Sequence, residues 1–264
     1  MSEDIQPLLD EWPYESDRLC VRKINLEDGN EKVQLRIEMG ILQMNVTGRP
    51  DGQRPYGYES LLDYYREKAK AAGKEGENRK EATLDSEDCL ALQMEALQYY
   101  HRRISFLELG DYAYALKDAK RNLELFDFVK QHAAEEEDRL FMEQYRPFVV
   151  GHRVRAAVLQ NLDKENYDLA LSKIDEGIEE IQTFFKEYGR PDMMDQSDEI
   201  TFLKEWADEI RKDRPRSPSQ DLKDQLEEAI TTEDFERAAK IRDQLLSLSE
   251  KKKITMAVKP IDNV

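Results

Sequence analysis

The chain has 264 residues, of which 37% are charged and 39% hydrophobic, and its formal net charge is −17 at pH 7. This length suits one large domain or two smaller ones. Binding to nucleic acid depends on neutralisation of phosphates by Lys and Arg, so a surface this acidic predicts no direct contact with DNA or RNA. No apolar run approaches the length of a membrane span, and the N-terminal residues lack the basic and apolar regions of a signal peptide. We therefore expect a cytoplasmic protein without a membrane segment.

The sequence motifs of common active sites are missing from this chain. There is no Gly-rich phosphate loop followed by Lys-Ser or Lys-Thr, no GxGxxG, no GxSxG and no HExxH. Cys20 and Cys89 have no CxxC spacing, which argues against zinc and against a disulfide framework. His101, His132 and His152 are dispersed through helical segments without nearby ligands. We expect no catalytic residue, no metal and no cofactor.

Residues 1–58 predict a β-meander followed by a loop. Polar and apolar residues alternate over 18–26 and 31–38, on either side of the turn Asp28-Gly29-Asn30. A third antiparallel strand is expected at 41–46. The side chains expected on one face of the second strand are Val33, Leu35 and Ile37.

The segment 47–58 is dense in Gly and Pro and predicts an ordered loop that leads into a helix at 59–72. Two interpretations are open. Arg49, Arg54 and Tyr56 could bind an anionic ligand, which would make the loop part of an enzyme or a ligand-binding site. Alternatively, the tyrosines pack over the sheet and the arginines pair with surface carboxylates, which is the interpretation that the sequence favours.

Residues 59–212 predict a helical region. After 59–72, helices are expected at 86–109, from Tyr112 past Phe128, from about Glu135, around Tyr167 and at 195–212. Gly110 suits a left-handed C-cap for the helix at 86–109. The expected apolar stripe of that helix consists of Leu90, Met94, Leu97, Tyr100, Ile104 and Leu107.

Part of this region resembles the second half of a tetratricopeptide repeat. The matching residues are Leu109-Gly110-Asp111-Tyr112 followed by Ala115, Ala119 and Leu123, and a related pattern begins at Tyr167. Arg102, Arg103 and Asp127 depart from the repeat, and the interval from Tyr112 to Tyr167 exceeds the repeat period of about 34 residues. The resemblance implies stacked helical hairpins with a concave groove for peptides. Tyr99, Arg102, Arg103 and Phe106 could line that groove, or the rings could be core and the arginines bound to carboxylates.

A Pro/Ser-rich stretch at 213–220 predicts a linker, because two prolines lie close together and no apolar residue anchors it. Residues 221–250 then predict a pair of short amphipathic helices, and 251–264 an extended tail. The helices have about three to four turns each, which is marginal for stability in water without packing partners. Their apolar and small residues are Leu222, Leu226, Ala229 and Ile230 on the first helix, and Phe235, Ala238, Ala239, Ile241, Leu245 and Leu248 on the second.

The same pair of helices resembles a known motif. Asp234-Phe235-Glu236, Ala238-Ala239 and Ile241-Arg242-Asp243, preceded by Leu222, Leu226 and Ala229, are similar to the UVR domain. This is the UvrB/UvrC-type motif of bacterial excision-repair proteins and of some regulators of Clp ATPases. The resemblance implies an antiparallel helical hairpin that binds another protein, often a second such hairpin, and that carries no catalytic residue. The residues expected to bind the partner are Leu222, Leu226, Ala229, Ile230, Phe235, Ala238, Ala239, Ile241, Arg242 and Leu245.

Together these patterns predict a mainly α protein with a small N-terminal antiparallel β-meander, an α+β chain with tetratricopeptide-like hairpins and a C-terminal UVR-like hairpin. We expect a bacterial, non-enzymatic interaction or adaptor protein whose partner is another UVR-bearing protein or a second copy of itself. An accessory factor of nucleotide excision repair or of Clp-type proteolysis is the alternative. An enzyme or anionic-ligand binder that uses the 47–58 loop is a third.

Overall fold

A computed structural model of the chain describes residues 4–74, 83–215, 218–232 and 234–245. The chain divides into two units, Met1–Ile210 and Arg211–Val264. The described residues are mainly helical and include one three-stranded antiparallel sheet, which confirms the predicted fold class. None of the helices in the described ranges has both the length and the apolarity that crossing a membrane requires. The predicted tail 251–264 and Leu248 lie outside the described residues.

The sheet is the predicted meander. Its strands are β1 (Cys20–Asn25), β2 (Glu31–Ile37) and β3 (Gly40–Asn45), and they pair antiparallel in the order β1-β2-β3. Gly29 adopts a φ of 82° in the turn between β1 and β2, a conformation that suits glycine. The N–H of Leu26 donates to the carbonyl of Asn30 at 2.8 Å and closes this turn.

One face of the sheet packs against helices of the first unit. Val33, Leu35 and Met44 are buried together with Phe106 and Ala156 from two of these helices. Ile37, which was predicted on the same face, is not buried. Ile37 is the last residue of β2, beside the turn into β3, and its side chain is exposed.

Arg36 of β2 is buried, although its side chain is charged. Its Nε donates to the carbonyl of Trp12 at 2.8 Å, and its Nη1 donates to the carbonyls of Glu38 and Gly40 at 3.2 and 3.1 Å. The guanidinium therefore satisfies free carbonyls at the β2–β3 turn. Trp12 follows helix α1 (Gln6–Glu11), which the sequence analysis did not predict.

The predicted loop at 47–58 is ordered and contains a 3-10 turn at Pro55–Gly57. It leads into α2 (Leu61–Lys74), where a helix was expected.

Six further helices complete the first unit: α3 (Ser86–Glu108), α4 (Tyr112–His132), α5 (Glu136–Glu143), α6 (Arg146–Leu162), α7 (Tyr167–Glu187) and the larger part of α8 (Asp198–Asp213). A 3-10 turn, Pro191–Met194, lies between α7 and α8. Helix α3 packs on α4, α4 on α6 and α6 on α7. The segment expected to form a single helix from about Glu135 forms two helices, α5 and α6. Pro147 lies in the first turn of α6, where a backbone N–H is not needed for a hydrogen bond within the helix, so a new helix begins there.

The prediction of one apolar stripe on α3 is wrong for three of its six residues, which are exposed. Leu90, Met94 and Leu97 are exposed, whereas Leu92 and Ala96 face the core. Helix α3 carries apolar residues on two faces, and the sequence periodicity alone does not distinguish them. Packing against α4 selects the face with Leu92, and the other apolar face is left at the surface.

In the second unit, α9 (Pro218–Thr231) is followed by a second helix over 235–245, labelled α10. Helix α9 begins at Pro218, so the expectation that the whole linker to residue 220 is non-helical is wrong at its end. Proline is well tolerated as the first residue of a helix, since no backbone N–H is needed there.

Candidate partner-binding hairpin

The two helices of the second unit form a hairpin with a small internal core. Ala229 of α9 packs with Ala238 and Ile241 of α10, and all three are buried. Leu222, Leu226 and Leu245 are half-buried against this core. Small residues at the crossing allow the two helix backbones to approach closely. These six predicted residues therefore hold the hairpin together.

The turn between the helices is fixed by hydrogen bonds. The N–H of Thr232 donates to the carbonyl of Glu228 at 2.9 Å, and the N–H of Asp234 donates to the carbonyl of Ala229 at 2.8 Å. The Asp234 carboxylate accepts from the N–H of Arg237 at 3.0 Å, which makes Asp234 the N-cap of α10. The hydroxyl of Thr232 donates to the Glu228 carbonyl at 2.9 Å.

The remaining predicted residues face away from the internal core. Ile230 is 55% exposed and Phe235 is 70% exposed. Ala239 and Arg242 are also exposed, and Phe235, Ala239 and Arg242 are spaced by four and three positions, so they share one face of α10. The guanidinium of Arg242 lies 2.9 Å from its neighbour Asp243. We call Ile230, Phe235, Ala239 and Arg242 the outer strip of the hairpin.

The surface of the hairpin also carries charged pairs. Arg237 of α10 and Glu228 of α9 are 3.3 Å apart, and Lys240 and Glu236 are 3.2 Å apart on α10. All four side chains are largely solvated, so these pairs contribute little to stability. The hairpin thus presents exposed apolar side chains on a surface that is otherwise rich in charge, as binding surfaces often do.

The hairpin region matches a known family of sequence motifs. Residues 220–251 match the UvrB/uvrC motif, UVR. The match confirms the resemblance derived from Asp234-Phe235-Glu236 and the residues around it. The UVR motif occurs in UvrB/UvrC-type proteins and indicates a role in protein interaction or in repair. Searches of curated proteins and of solved structures return no match for this chain. The tetratricopeptide-like interpretation of the first unit stays a prediction.

The loop at 47–58 does not gather its three candidate residues around a shared site. Arg49 lies 3.3 Å from Asp51 and 3.5 Å from the buried carboxylate of Glu95, so its charge is already compensated. Tyr56 stacks on Tyr64 of α2 with ring centroids 4.2 Å apart, and Arg54 is exposed. The favoured interpretation paired the arginines with surface carboxylates, and Arg49 fits it only in part, because Asp51 is partly exposed but Glu95 is buried. Tyr56 packs on a helix.

The four residues expected to line a groove have different surroundings in the structure. Tyr99 and Phe106 are buried, and Arg102 donates two hydrogen bonds of 2.8 Å to Asp118 on α4. Arg102 also donates to the carbonyls of Asn45 and Gly48, which links α3 to the end of β3. Arg103 has no such carboxylate partner among the described residues and lines a cleft. Within those residues, no group of three His, Cys, Asp or Glu side chains could hold a metal ion.

Proposed function

We propose that this protein is a non-enzymatic interaction or adaptor protein that docks onto a protein partner through the outer strip of its UVR hairpin. The observation that supports this most is the position of Phe235. Its ring is 70% exposed on a helix whose inward face is filled by Ala238 and Ile241. The hairpin core can therefore form without Phe235, which leaves the ring available to a partner.

The energetics favour an aromatic anchor of this kind. Large aromatic side chains contribute much of the binding energy at protein interfaces, and the exposed Phe235 and Ile230 both supply apolar area for burial. Two helices of this length gain little stability from their own small core, so a contact that covers the outer strip would also stabilise the hairpin. Binding and hairpin stability are expected to rise together.

The partner that fits best is another UVR hairpin, on a different protein or on a second copy of this chain. Two such hairpins can bury their outer strips against each other, as in a two-fold symmetric interface. A cytoplasmic location and a lack of direct nucleic-acid contact belong to the same proposal, given the net charge of −17. A role as an accessory factor in nucleotide excision repair or in Clp-type proteolysis would follow from a partner of that pathway.

The experiment compares the full chain with the double variant Ile230→Asp/Phe235→Asp. Self-association is measured by analytical ultracentrifugation, and binding to UVR-bearing repair proteins or to Clp ATPases by pull-down. We expect at least a tenfold loss of the association that the wild type shows. Leu169→Asp/Phe202→Asp, which changes two exposed apolar residues of the first unit, is the matched control and should bind normally. Equal association of both variants, with unchanged circular dichroism, would remove the outer strip from the docking role.

A further inference from the structure

A second candidate binding surface lies in the first unit, in a cleft of about 340 Å³ between α3, α4, α5 and α6. Its walls are mainly apolar: Met94 and Leu97 come from α3, Phe126 from α4, Met142 from α5 and Phe148 from α6. This volume is at the lower end of the range typical of ligand pockets and is large enough for one or two apolar side chains.

The rim of the cleft consists of apolar residues that face solvent. Met94 and Leu97, which the sequence analysis placed in the core, are 52% and 42% exposed, and Tyr145 and Phe148 are exposed on the opposite side. A contiguous group of exposed apolar side chains around a concave surface is a common feature of protein-binding sites. Pro147, at the start of α6, is the sequence signal that could have located Tyr145 and Phe148 at a helix boundary.

The floor of the cleft contains a buried cation. Arg103 is 1% exposed, and its Nε donates to Nδ1 of His152 at 3.3 Å. Burial lowers the pKa of Arg103 to about 10, so the guanidinium is still charged at neutral pH. Burial, together with Arg103 and Arg155, lowers the pKa of His152 to about 3, so the imidazole is neutral and offers no compensating charge. Nη1 of Arg103 is buried and has no hydrogen-bond partner among the described residues.

A buried acceptor on the neighbouring helix is also unpaired. Asn122 of α4 donates through Nδ2 to the carbonyl of Ala96 at 3.1 Å, whereas its Oδ1 is buried without a partner in the described part of the chain. The cleft floor therefore presents one free donor on Arg103 and one free acceptor on Asn122. Unpaired buried polar atoms are costly, and in a cleft a bound group can supply the missing partners.

We propose that this cleft binds a peptide segment of a protein partner that inserts an apolar side chain between Met94 and Phe148 and sets a carboxylate side chain against Arg103. A carboxylate matches a desolvated guanidinium in charge and in hydrogen-bond geometry, and a peptide N–H can donate to Asn122. Arg102, the preceding residue, shows the contrast, because its Nε and Nη2 already donate to Asp118. The proposal is independent of the UVR hairpin, which belongs to the other unit.

The test uses a phage-displayed library of random 12-residue peptides, selected on the full chain and then measured by fluorescence anisotropy. We expect selected peptides with Asp or Glu close to large apolar residues. Their affinity should fall roughly 10- to 100-fold for Arg103→Met, since a hydrogen bond to a charged group contributes about 1.5–3 kcal/mol. Arg103→Met keeps the side-chain length and removes a buried charge that has no direct ion pair, so thermal stability should fall little.

A rim variant tests the same cleft without changing its floor. Leu97→Glu puts a negative charge at the exposed edge and should weaken the selected peptides, whereas Leu169→Glu, on an exposed site of α7, should not. Failure to select any peptide, or peptides that bind Arg103→Met and the wild type equally, would overturn the proposal. Binding of dodecanoate that depends on Arg103, without any peptide selected, would also overturn it and would assign the cleft to a small amphipathic anion.

Discussion

Arg121 on α4 forms a partly buried ion pair with Glu95 on α3, with Nη2 and Oε1 2.5 Å apart. The Glu95 side chain is fully buried, and its carboxylate also accepts hydrogen bonds from the backbone N–H groups of Leu61 and Leu62 at 2.8 and 3.3 Å. These N–H groups belong to the first turn of α2, where no intrahelical acceptor exists. A single carboxylate therefore connects α3, α4 and the start of α2.

Replacing Glu95 should be among the most destabilising changes on α3. Glu95→Ala leaves the guanidinium of Arg121 and the N–H groups of α2 without their acceptor, so we expect a loss of about 3–5 kcal/mol in the free energy of unfolding. Glu124→Ala is the control, since Glu124 pairs with Arg66 at the surface and should cost less than about 1 kcal/mol. Urea denaturation measures both. Similar small losses would show that Glu95 does not organise α2.

The close approach of α6 and α7 depends on a glycine. A Cβ at Gly177 would lie 2.2 Å from Cγ2 of Val154, so Gly177→Ala should cost about 1–3 kcal/mol in unfolding free energy. In a Val154→Ala background the same change should cost much less, because the clashing methyl is gone.

The control for this change is Gly151 on α6. A Cβ there meets its nearest side-chain atom, Cγ of Glu199, at 3.4 Å, and alanine has the higher helix propensity. Gly151→Ala should therefore leave stability unchanged or raise it by up to about 1 kcal/mol. An equal cost for Gly177→Ala with and without Val154 would contradict the close-packing account.

His152 makes stability depend on pH. Its folded-state pKa of about 3 lies below the ordinary value of 6.5, so the unfolded chain binds more protons between these two values. The contribution is complete above about pH 6.5 and is lost as the pH falls toward 3. His152→Asn keeps an acceptor for Arg103 but does not titrate. Between pH 7 and pH 5, the wild type should lose about 1–2 kcal/mol more unfolding free energy than this variant. Parallel pH profiles would show that His152 is not buried neutral.

The elements that were predicted best from the sequence are those that short stretches of residues determine. The meander follows from strict alternation on either side of Asp28-Gly29-Asn30, and the hairpin follows from apolar spacing together with the residues around Phe235. Both patterns lie within a few turns or strands, so local propensity and tertiary packing point to the same structure.

Long-range packing decided the features that the sequence did not reveal. Helix α3 has two apolar faces, and the choice of Leu92 over Leu97 as the buried residue depends on α4. Arg102 and Arg103 are adjacent and chemically identical, yet Asp118 forms an ion pair with the first, whereas the second forms none with a carboxylate of the described residues. Within the hairpin, Ala229 is buried in the core, whereas the adjacent Ile230 is exposed.

The central claim is that the outer strip of the UVR hairpin contacts a protein partner. Incorporation of a benzophenone amino acid at Phe235 in the full chain, followed by irradiation with a UVR-bearing protein or with the chain alone, tests it most directly. Lys240, whose side chain is 73% exposed on another face of α10, is the matched control position. We predict an efficient crosslink to the partner hairpin from position 235 and little or none from position 240. Equal yields from both positions, or none from position 235 in a mixture that associates, would contradict the claim.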